Sequence, residues 1–185
     1  MLYRIIRSGK FEFFYSLALV GYRATGKTTV GKILAHRLGW NFLDMDELLV
    51  KRFGMTISDW VSLYGWNSFR DEEMRLLKDL AVEKQVVLAT GGGVVERAEN
   101  RELLKKNFFV VWLKCSSEEI LNRLKKDEKS FKYRPSLTEL GLFNEIVHVL
   151  LVREPLYREV AHVSVDVNGK NPEMVSEEII KAFSF

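Results

Sequence analysis

The stretch that decides the fold is Gly21-Tyr22-Arg23-Ala24-Thr25-Gly26-Lys27-Thr28-Thr29. It fits the pattern G-x-x-x-x-G-K-[ST], the P-loop, whose backbone N–H groups surround nucleotide phosphates. A short apolar run at 16–20 comes before it and predicts a strand. After it, one buried helix face is indicated by the spacing of Val30, Ile33, Leu34 and Leu38. Because a strand and a helix flank the loop, we predict a nucleotide-phosphate site rather than a turn that fits by chance.

Two side chains of this loop have expected roles. Lys27 would reach the β- and γ-phosphates of a nucleotide, and the Thr28 hydroxyl would bind Mg²⁺. The remaining residues of 21–29 would contact the nucleotide through the loop backbone and the positive end of the helix.

Bulk properties restrict the class of protein. The 185 residues suit one domain, and 47% hydrophobic with 29% charged residues is typical of a soluble globular chain. The net charge is +3 and no basic run is interleaved with aromatic residues, so we expect no nucleic-acid partner. The single cysteine, Cys115, excludes an internal disulfide and fits the cytoplasm. No run approaches the ~20 apolar residues of a membrane span, so we expect no membrane partner. We also expect a monomer.

The first fourteen residues, Met1–Phe14, mix basic and aromatic side chains. Arg4, Arg7 and Lys10 interrupt every apolar run, which argues against a signal peptide. This extension could be an extra strand, a disordered tail or a wrongly assigned start. Residues 15–185 are predicted to form one domain.

Further apolar runs predict strands at 40–43, 86–89, 109–113 and 163–167, and helical patterns alternate with them. This alternation predicts an α/β fold, a three-layer sandwich with a central five-stranded parallel sheet between helices. Helices are expected at 47–53, 57–63, from 65 onward and at 137–152, and Pro155 should bend or break the last of these near Arg153.

Ligands of such sheets bind where the strands end. Asp44 and Asp46 follow the second strand, and two residues apart in an extended chain their carboxylates would project together. The two carboxylates are suited to bind Mg²⁺ and a substrate hydroxyl. The alternative is that both are solvated side chains of a surface loop. Gly91–Gly93 follow the third strand and indicate either contact with a substrate or a tight turn. Arg70 and Glu73 would be neighbours on a helix, and their spacing alone favours a surface ion pair.

These residues together resemble the shikimate kinase family, P-loop kinases related to nucleoside monophosphate kinases, from Leu17 to about Ile180. Beyond the P-loop, the motifs that carry the resemblance are Asp44-x-Asp46, Phe69-Arg70-x-x-Glu73, Gly91-Gly92-Gly93, Arg134-Pro135 and Arg153-x-Pro155-Leu156-Tyr157. The P-loop is common to very many enzymes, whereas this combination is specific.

The resemblance implies transfer of the ATP γ-phosphoryl group to the 3-hydroxyl of shikimate. Lys27, Asp46 and Arg134 would be catalytic, with Asp46 orienting the attacking hydroxyl or accepting its proton. Arg70 and Arg153 would bind the shikimate carboxylate. The remaining substrate contacts would come from Phe69 with Val61 as an apolar wall, Glu73 behind Arg70, and Gly91, Gly92 and Gly93.

The resemblance also implies the ATP and metal contacts. Arg123 and Lys170, in the turn at 168–172, would frame the adenine, and Thr28 with Asp44 would hold Mg²⁺. A substrate-binding region would span about 45–73. The polar segment at about 125–137 would be a mobile lid that carries Arg134 onto the phosphates.

Some positions depart from the family pattern: Ala24 stands where glycine is common, Trp66 and Asn67 where acidic residues are common, and Ser136 where an apolar residue is common. None of these departures removes a catalytic group. Three alternatives remain open at this point: a gluconate or nucleotide kinase of the same fold, a non-catalytic nucleotide-binding relative, and a P-loop ATPase that remodels nucleic acid.

Overall fold

The structure is a computed structural model that describes residues 3–7, 10–126 and 141–183. Arg134, Pro135, Ser136 and most of the expected lid at 125–137 lie outside the described residues. The strands are β1 Tyr3–Arg7, β2 Lys10–Phe14, β3 Leu17–Val20, β4 Asn41–Asp44, β5 Val86–Ala89, β6 Phe109–Lys114 and β7 Val163–Asp166. The helices are α1 Lys27–Leu38, α2 Met45–Phe53, α3 Ile57–Leu80, α4 Ala98–Asn107, α5 Ser117–Lys126, α6 Leu142–Val160 and α7 Pro172–Phe183.

The five-stranded sheet has the order β4-β5-β3-β6-β7, and every pair of neighbours is parallel. Helices cover both faces, because alternate residues of each central strand enter different cores. In β3, Leu17 and Leu19 belong to the core beneath α1, α5 and α7, whereas Ala18 and Val20 belong to the core beneath α2, α3 and α4. The predicted three-layer fold with a central five-stranded parallel sheet is confirmed.

The N-terminal extension forms a separate two-stranded antiparallel sheet of β1 and β2. Phe14, at the end of β2, is 4% exposed and its ring contacts those of Phe109 and His162. Of the interpretations left open, the structure therefore shows strands, whose last residue is anchored in the core.

Local capping sets several boundaries. Gly39 ends α1 in the left-handed conformation, with φ of 67°, and its N–H bonds to carbonyls of the last turn. Ser116 Oγ accepts the N–H of Glu119 at 3.3 Å at the start of α5. Asn171 Oδ1 accepts the N–H of Met174 at 2.8 Å at the start of α7.

One helix prediction is confirmed and another needs correction. The two helices expected on either side of residue 64 are both present within α3 and meet at a kink at Gly65, whose φ of 79° and ψ of 167° are not helical. Of the bend or break expected near Arg153, the break is wrong, because α6 continues through Pro155 to Val160. The carbonyl that loses its donor belongs to Leu151, whose side chain is 72% exposed, so this face of α6 is open to water. Arg153 and Tyr157, both buried, fix the helix on each side of the proline.

No described helix is long and apolar enough to span a bilayer.

Candidate functional site

The candidate site lies where the parallel strands end. The P-loop follows β3, Asp44 is the last residue of β4, and residues 90–93 follow β5. Because these three strands are neighbours in the sheet, the three segments meet at one edge. Two adjoining cavities open there, which we name the phosphate cavity and the substrate cavity.

The phosphate cavity surrounds the outer side of the P-loop and opens onto about 890 Å³ of empty space. Its lining consists of Arg23, Ala24, Gly26, Lys27, Thr28, Thr29, Asp44, Asp46, Thr90, Gly92 and Arg123. Lys27 Nζ donates to the carbonyls of Gly21 at 2.9 Å and Tyr22 at 2.7 Å, which ties the helix start to the loop. The cavity thus combines the Lys27 ammonium with the N-terminus of α1, a setting suited to phosphate.

Ala24 and Gly26 both have left-handed backbone conformations, with φ of 62° and 94°. A side chain is strained there, which explains why glycine is common at position 24 of this loop. Gly21, with φ of 144°, lies in the same strained range and is required for a second reason. A Cβ on it would lie 2.7 Å from the carbonyl oxygen of Leu113 in β6.

Thr28 and Asp44 form the candidate metal site. Thr28 Oγ1 donates to Asp44 Oδ2 at 2.7 Å. The other oxygen of Asp44 caps α2 by accepting the N–H of Asp46 at 3.0 Å. Asp46 therefore lies in the first turn of α2, and the expectation that it continues an extended strand is wrong. Both carboxylates nevertheless line the phosphate cavity.

The substrate cavity opens onto about 530 Å³ of empty space and lies between α2, α3, α6 and the glycine run. Its apolar wall comes from Tyr22, Ile57, Trp66 and Phe69, and its polar lining from Arg23, Asp46, Arg70, Glu73, Gly91, Gly92, Gly93 and Arg153. Phe69 is thus placed as expected, whereas Ile57 rather than Val61 completes the wall. Arg23, Asp46 and Gly92 line both cavities, so a group bound in one is adjacent to a group bound in the other.

Arg70 and Glu73 form a buried ion pair at the inner end of the substrate cavity. Arg70 Nη1 donates to Glu73 Oε2 at 2.7 Å, and the two side chains are 11% and 1% exposed. The interpretation as a surface pair is therefore wrong. Burial raises the pKa of the Glu73 carboxyl from 4.5 to about 7, although Arg70 lowers it. Burial lowers the pKa of Arg70, but Glu73 and Glu96 raise it overall.

Glu96 joins the two arginines, and no motif in the sequence indicates this role. Its Oε2 accepts from Arg70 Nε at 2.9 Å, and its Oε1 accepts from Arg153 Nε at 2.8 Å and Nη2 at 2.5 Å. Only two residues, Val94 and Val95, separate Glu96 from the triple glycine, and this closeness to the sheet edge is the one signal in the sequence.

The glycine run allows close packing of these charged groups. A Cβ on Gly93 would lie 2.0 Å from Arg70 Nη2, and one on Gly91 would lie 2.6 Å from Glu73 Oε1. The run also forms a tight turn, in which the N–H of Val94 donates to the carbonyl of Gly91 at 3.2 Å. None of the three glycines has a left-handed φ, so close packing rather than backbone conformation explains glycine at 91 and 93. The buried Tyr157 hydroxyl donates to the carbonyl of Gly92 and fixes the run against α6.

Arg23 and Arg123 lie at opposite borders of the phosphate cavity. Arg23 Nη2 contacts the buried Glu145 Oε1 at 2.5 Å and reaches the junction with the substrate cavity. Arg123 donates to the carbonyls of Ala24 at 3.4 Å and Val167 at 3.0 Å, beside the turn at 168–172.

Some expected ATP contacts are not brought into the phosphate cavity. Lys170 pairs with Glu178 at 2.7 Å and is absent from the lining. Gly21, Tyr22 and Thr25 lie on the buried side of the loop, where Thr25 Oγ1 donates to the carbonyl of Tyr22 at 2.9 Å.

Comparison with known proteins agrees with this geometry. The family model described as shikimate kinase matches residues 23–184. A shikimate kinase of Nitratidesulfovibrio vulgaris is 43% identical over 169 residues, which cover 90% of this chain and 94% of that protein. A shikimate kinase of Thermodesulfovibrio yellowstonii is 41% identical over 91% of this chain and 94% of its own length.

Solved structures give the same result. The shikimate kinase of Acinetobacter baumannii, in complex with shikimate, superposes with a TM-score of 0.86 at 37% identity and covers 91% of this chain and 92% of its own. A gluconokinase of Sinorhizobium meliloti has a TM-score of 0.58 at 20% identity, over 92% of each chain, and shows likeness of fold alone. On the family match and on these relatives, the chain belongs to the shikimate kinase family.

Proposed function

We propose that this protein transfers the γ-phosphoryl group of ATP to the 3-hydroxyl of shikimate, giving shikimate 3-phosphate and ADP. The observation that carries the proposal is the substrate cavity itself. It is lined by two arginines and by Asp46, and Asp46 also lines the phosphate cavity. A carboxylated, hydroxylated ring fits this set of groups, because the arginines can bind its acid while Asp46 holds a hydroxyl beside the phosphates.

The nucleotide would bind with its phosphates against the P-loop and the N-terminus of α1. Lys27 would turn from the loop carbonyls to the β- and γ-phosphates. Thr28 and Asp44 fit Mg²⁺ chemically, because a hydroxyl and a carboxylate 2.7 Å apart are the oxygen ligands that this ion accepts. When bound, Mg²⁺ would offset the negative charge of the phosphates. We propose that Arg123 borders the adenine and that Lys170 approaches it only after rearrangement.

Shikimate would bind with its carboxylate on Arg70 and Arg153 and its ring against Phe69. Planar guanidinium groups suit a planar carboxylate, and Glu73 fixes one of them from behind. Asp46 would hold the 3-hydroxyl at the junction of the cavities and orient it or accept its proton. Positioning of this kind supplies much of the rate in phosphoryl transfer.

Arg134 remains a proposed catalytic residue, on the resemblance alone. Its guanidinium would reach the transferring group from the lid at about 125–137 and offset charge that develops in the transition state. Use of Mg²⁺, a monomeric state and a cytoplasmic location likewise remain predictions.

The acceptor specificity tests the reaction. Purified protein with MgATP should release ADP when shikimate is added, and the product should carry its phosphate on the 3-hydroxyl. Gluconate and nucleoside monophosphates serve as controls for other kinases of this fold. Equal turnover with those acceptors, or with no acceptor, would show that the assignment is wrong.

A further inference from the structure

We propose that Glu96 is a positioning residue that holds Arg70 and Arg153 together and thereby sets the affinity for the substrate carboxylate. The inference deepens the proposed function and rests on it. Its basis is that one carboxylate binds both arginines, with Oε2 on Arg70 and Oε1 on Arg153.

Glu96 lies outside the substrate cavity. It lines a neighbouring recess with Trp66, Asn67, His148, Val149 and Val152, and the two arginines line both spaces. The arginine pair therefore separates the recess from the cavity, with Glu96 on the recess side. A ligand in the substrate cavity need not displace the Glu96 carboxylate.

The bonds to Glu96 and Glu73 use particular edges of the guanidinium groups. Arg70 donates from Nε to Glu96 and from Nη1 to Glu73, whereas its Nη2 lies beside Gly93. Arg153 gives Nε and Nη2 to Glu96, and its Nη1 faces Gly92. Because both glycines line the substrate cavity, the nitrogens not bound to glutamate lie on the side where a substrate carboxylate would bind.

Charge balance explains why such a residue is needed. Two guanidinium groups that reach the same carboxylate repel each other, and their side chains are only 11% and 7% exposed, so water screens them weakly. Glu96 is 36% exposed and offsets this repulsion at a small desolvation cost. Because Glu96 already fixes the two arginine side chains, less conformational entropy is lost when the substrate binds.

The test replaces Glu96 and measures steady-state kinetics with shikimate and MgATP. In Glu96→Ala we expect the KM for shikimate to rise about 10-fold while kcat changes less than about threefold and the KM for ATP is unchanged. Glu96→Gln should lie between this variant and the parent, because its amide oxygen can still accept from one arginine. Glu99→Gln is the matched control, since it removes an exposed charge from the first turn of α4.

A double-mutant cycle shows whether Glu96 acts through Arg153. If it does, Glu96→Ala should add much less to the KM in an Arg153→Ala background than in the parent. Full additivity, an unchanged KM in both Glu96 variants, or tighter shikimate binding would overturn the inference. If Glu96→Ala does not fold, as judged by thermal unfolding, Glu96→Gln decides the question. Absence of shikimate-dependent ADP release in the parent protein would instead contradict the proposed function itself.

Discussion

Single residues that line only one of the two cavities determine which ligand a mutation affects. Arg70→Ala and Arg153→Ala should each weaken shikimate binding by roughly 1.5–3 kcal/mol, the range for hydrogen bonds to charged groups. ATP binding should barely change, since neither arginine lines the phosphate cavity. Isothermal titration calorimetry with each ligand separately measures both effects. Parallel losses for shikimate and ATP would indicate damage to the whole fold rather than loss of a carboxylate contact.

At this scale the sequence predicts which residues take part in the site better than it predicts which residues they contact. The roles expected for Arg70 and Arg153 rest on motifs that are visible in the chain. The partner they have in common, Glu96, is 26 and 57 positions away from them, and no periodicity reports a contact of that range. Asp46 lies at the sheet edge as expected but in a helix rather than an extended chain, because Asp44 caps the start of α2.

Elements that reach the site from different parts of the chain should contribute to different kinetic steps. The segment at about 125–137 is predicted to bring Arg134 to the transferring phosphoryl group, where its charge matters most in the transition state. Arg134→Ala should therefore fold normally, bind shikimate within a few-fold of the parent, and lower kcat by at least ~10²-fold. Arg134→Lys should recover little of the lost rate, because an ammonium cannot reproduce a planar fork. Calorimetry and steady-state rates together check this, and a near-normal kcat in Arg134→Ala would exclude the assigned role.

The elements were predictable to the degree that their signals are local. The strand at 86–89 was predicted with the observed bounds, because its side chains are uniformly apolar and buried. The course of α6 was not predictable, because a proline normally ends a helix and only buried contacts on both sides of Pro155 hold this one together. The kink between the two helices of α3 was predictable, because Gly65 interrupts the helical pattern locally.

For the whole molecule, the buried carboxyl of Glu73 makes stability depend on pH. Its pKa of about 7 in the folded protein lies above its ordinary value of 4.5, so the folded state binds more protons between these values. The stabilising contribution is therefore complete below pH 4.5 and is lost as the pH rises through about 7. The charged groups that face this carboxyl are Arg70, Asp46 and Glu96.

Glu73→Gln removes this titration and retains an acceptor for Arg70. The free energy of unfolding of the parent, minus that of Glu73→Gln, should fall as the pH rises from about 5 to about 8. Urea unfolding of both proteins at several pH values measures the difference, in which the titration of all other groups largely cancels. A difference that stays constant or increases with pH would contradict the assignment. Glu99→Gln, an exposed change, should show no such trend.

Arg23, Asp46 and Gly92 border both cavities, and this common border has a consequence for inhibitor design. No described element separates the two spaces at these residues, so one molecule can extend from the arginine pair to the P-loop. A bisubstrate compound, with a carboxylated ring joined to an adenosine oligophosphate by a short linker, would occupy both. Its second half binds at an effective concentration in the millimolar range, roughly as expected for short linkers, so its affinity exceeds that of either half. Selectivity among P-loop kinases would then come from the ring half, because the phosphate half fits a loop that many of them have.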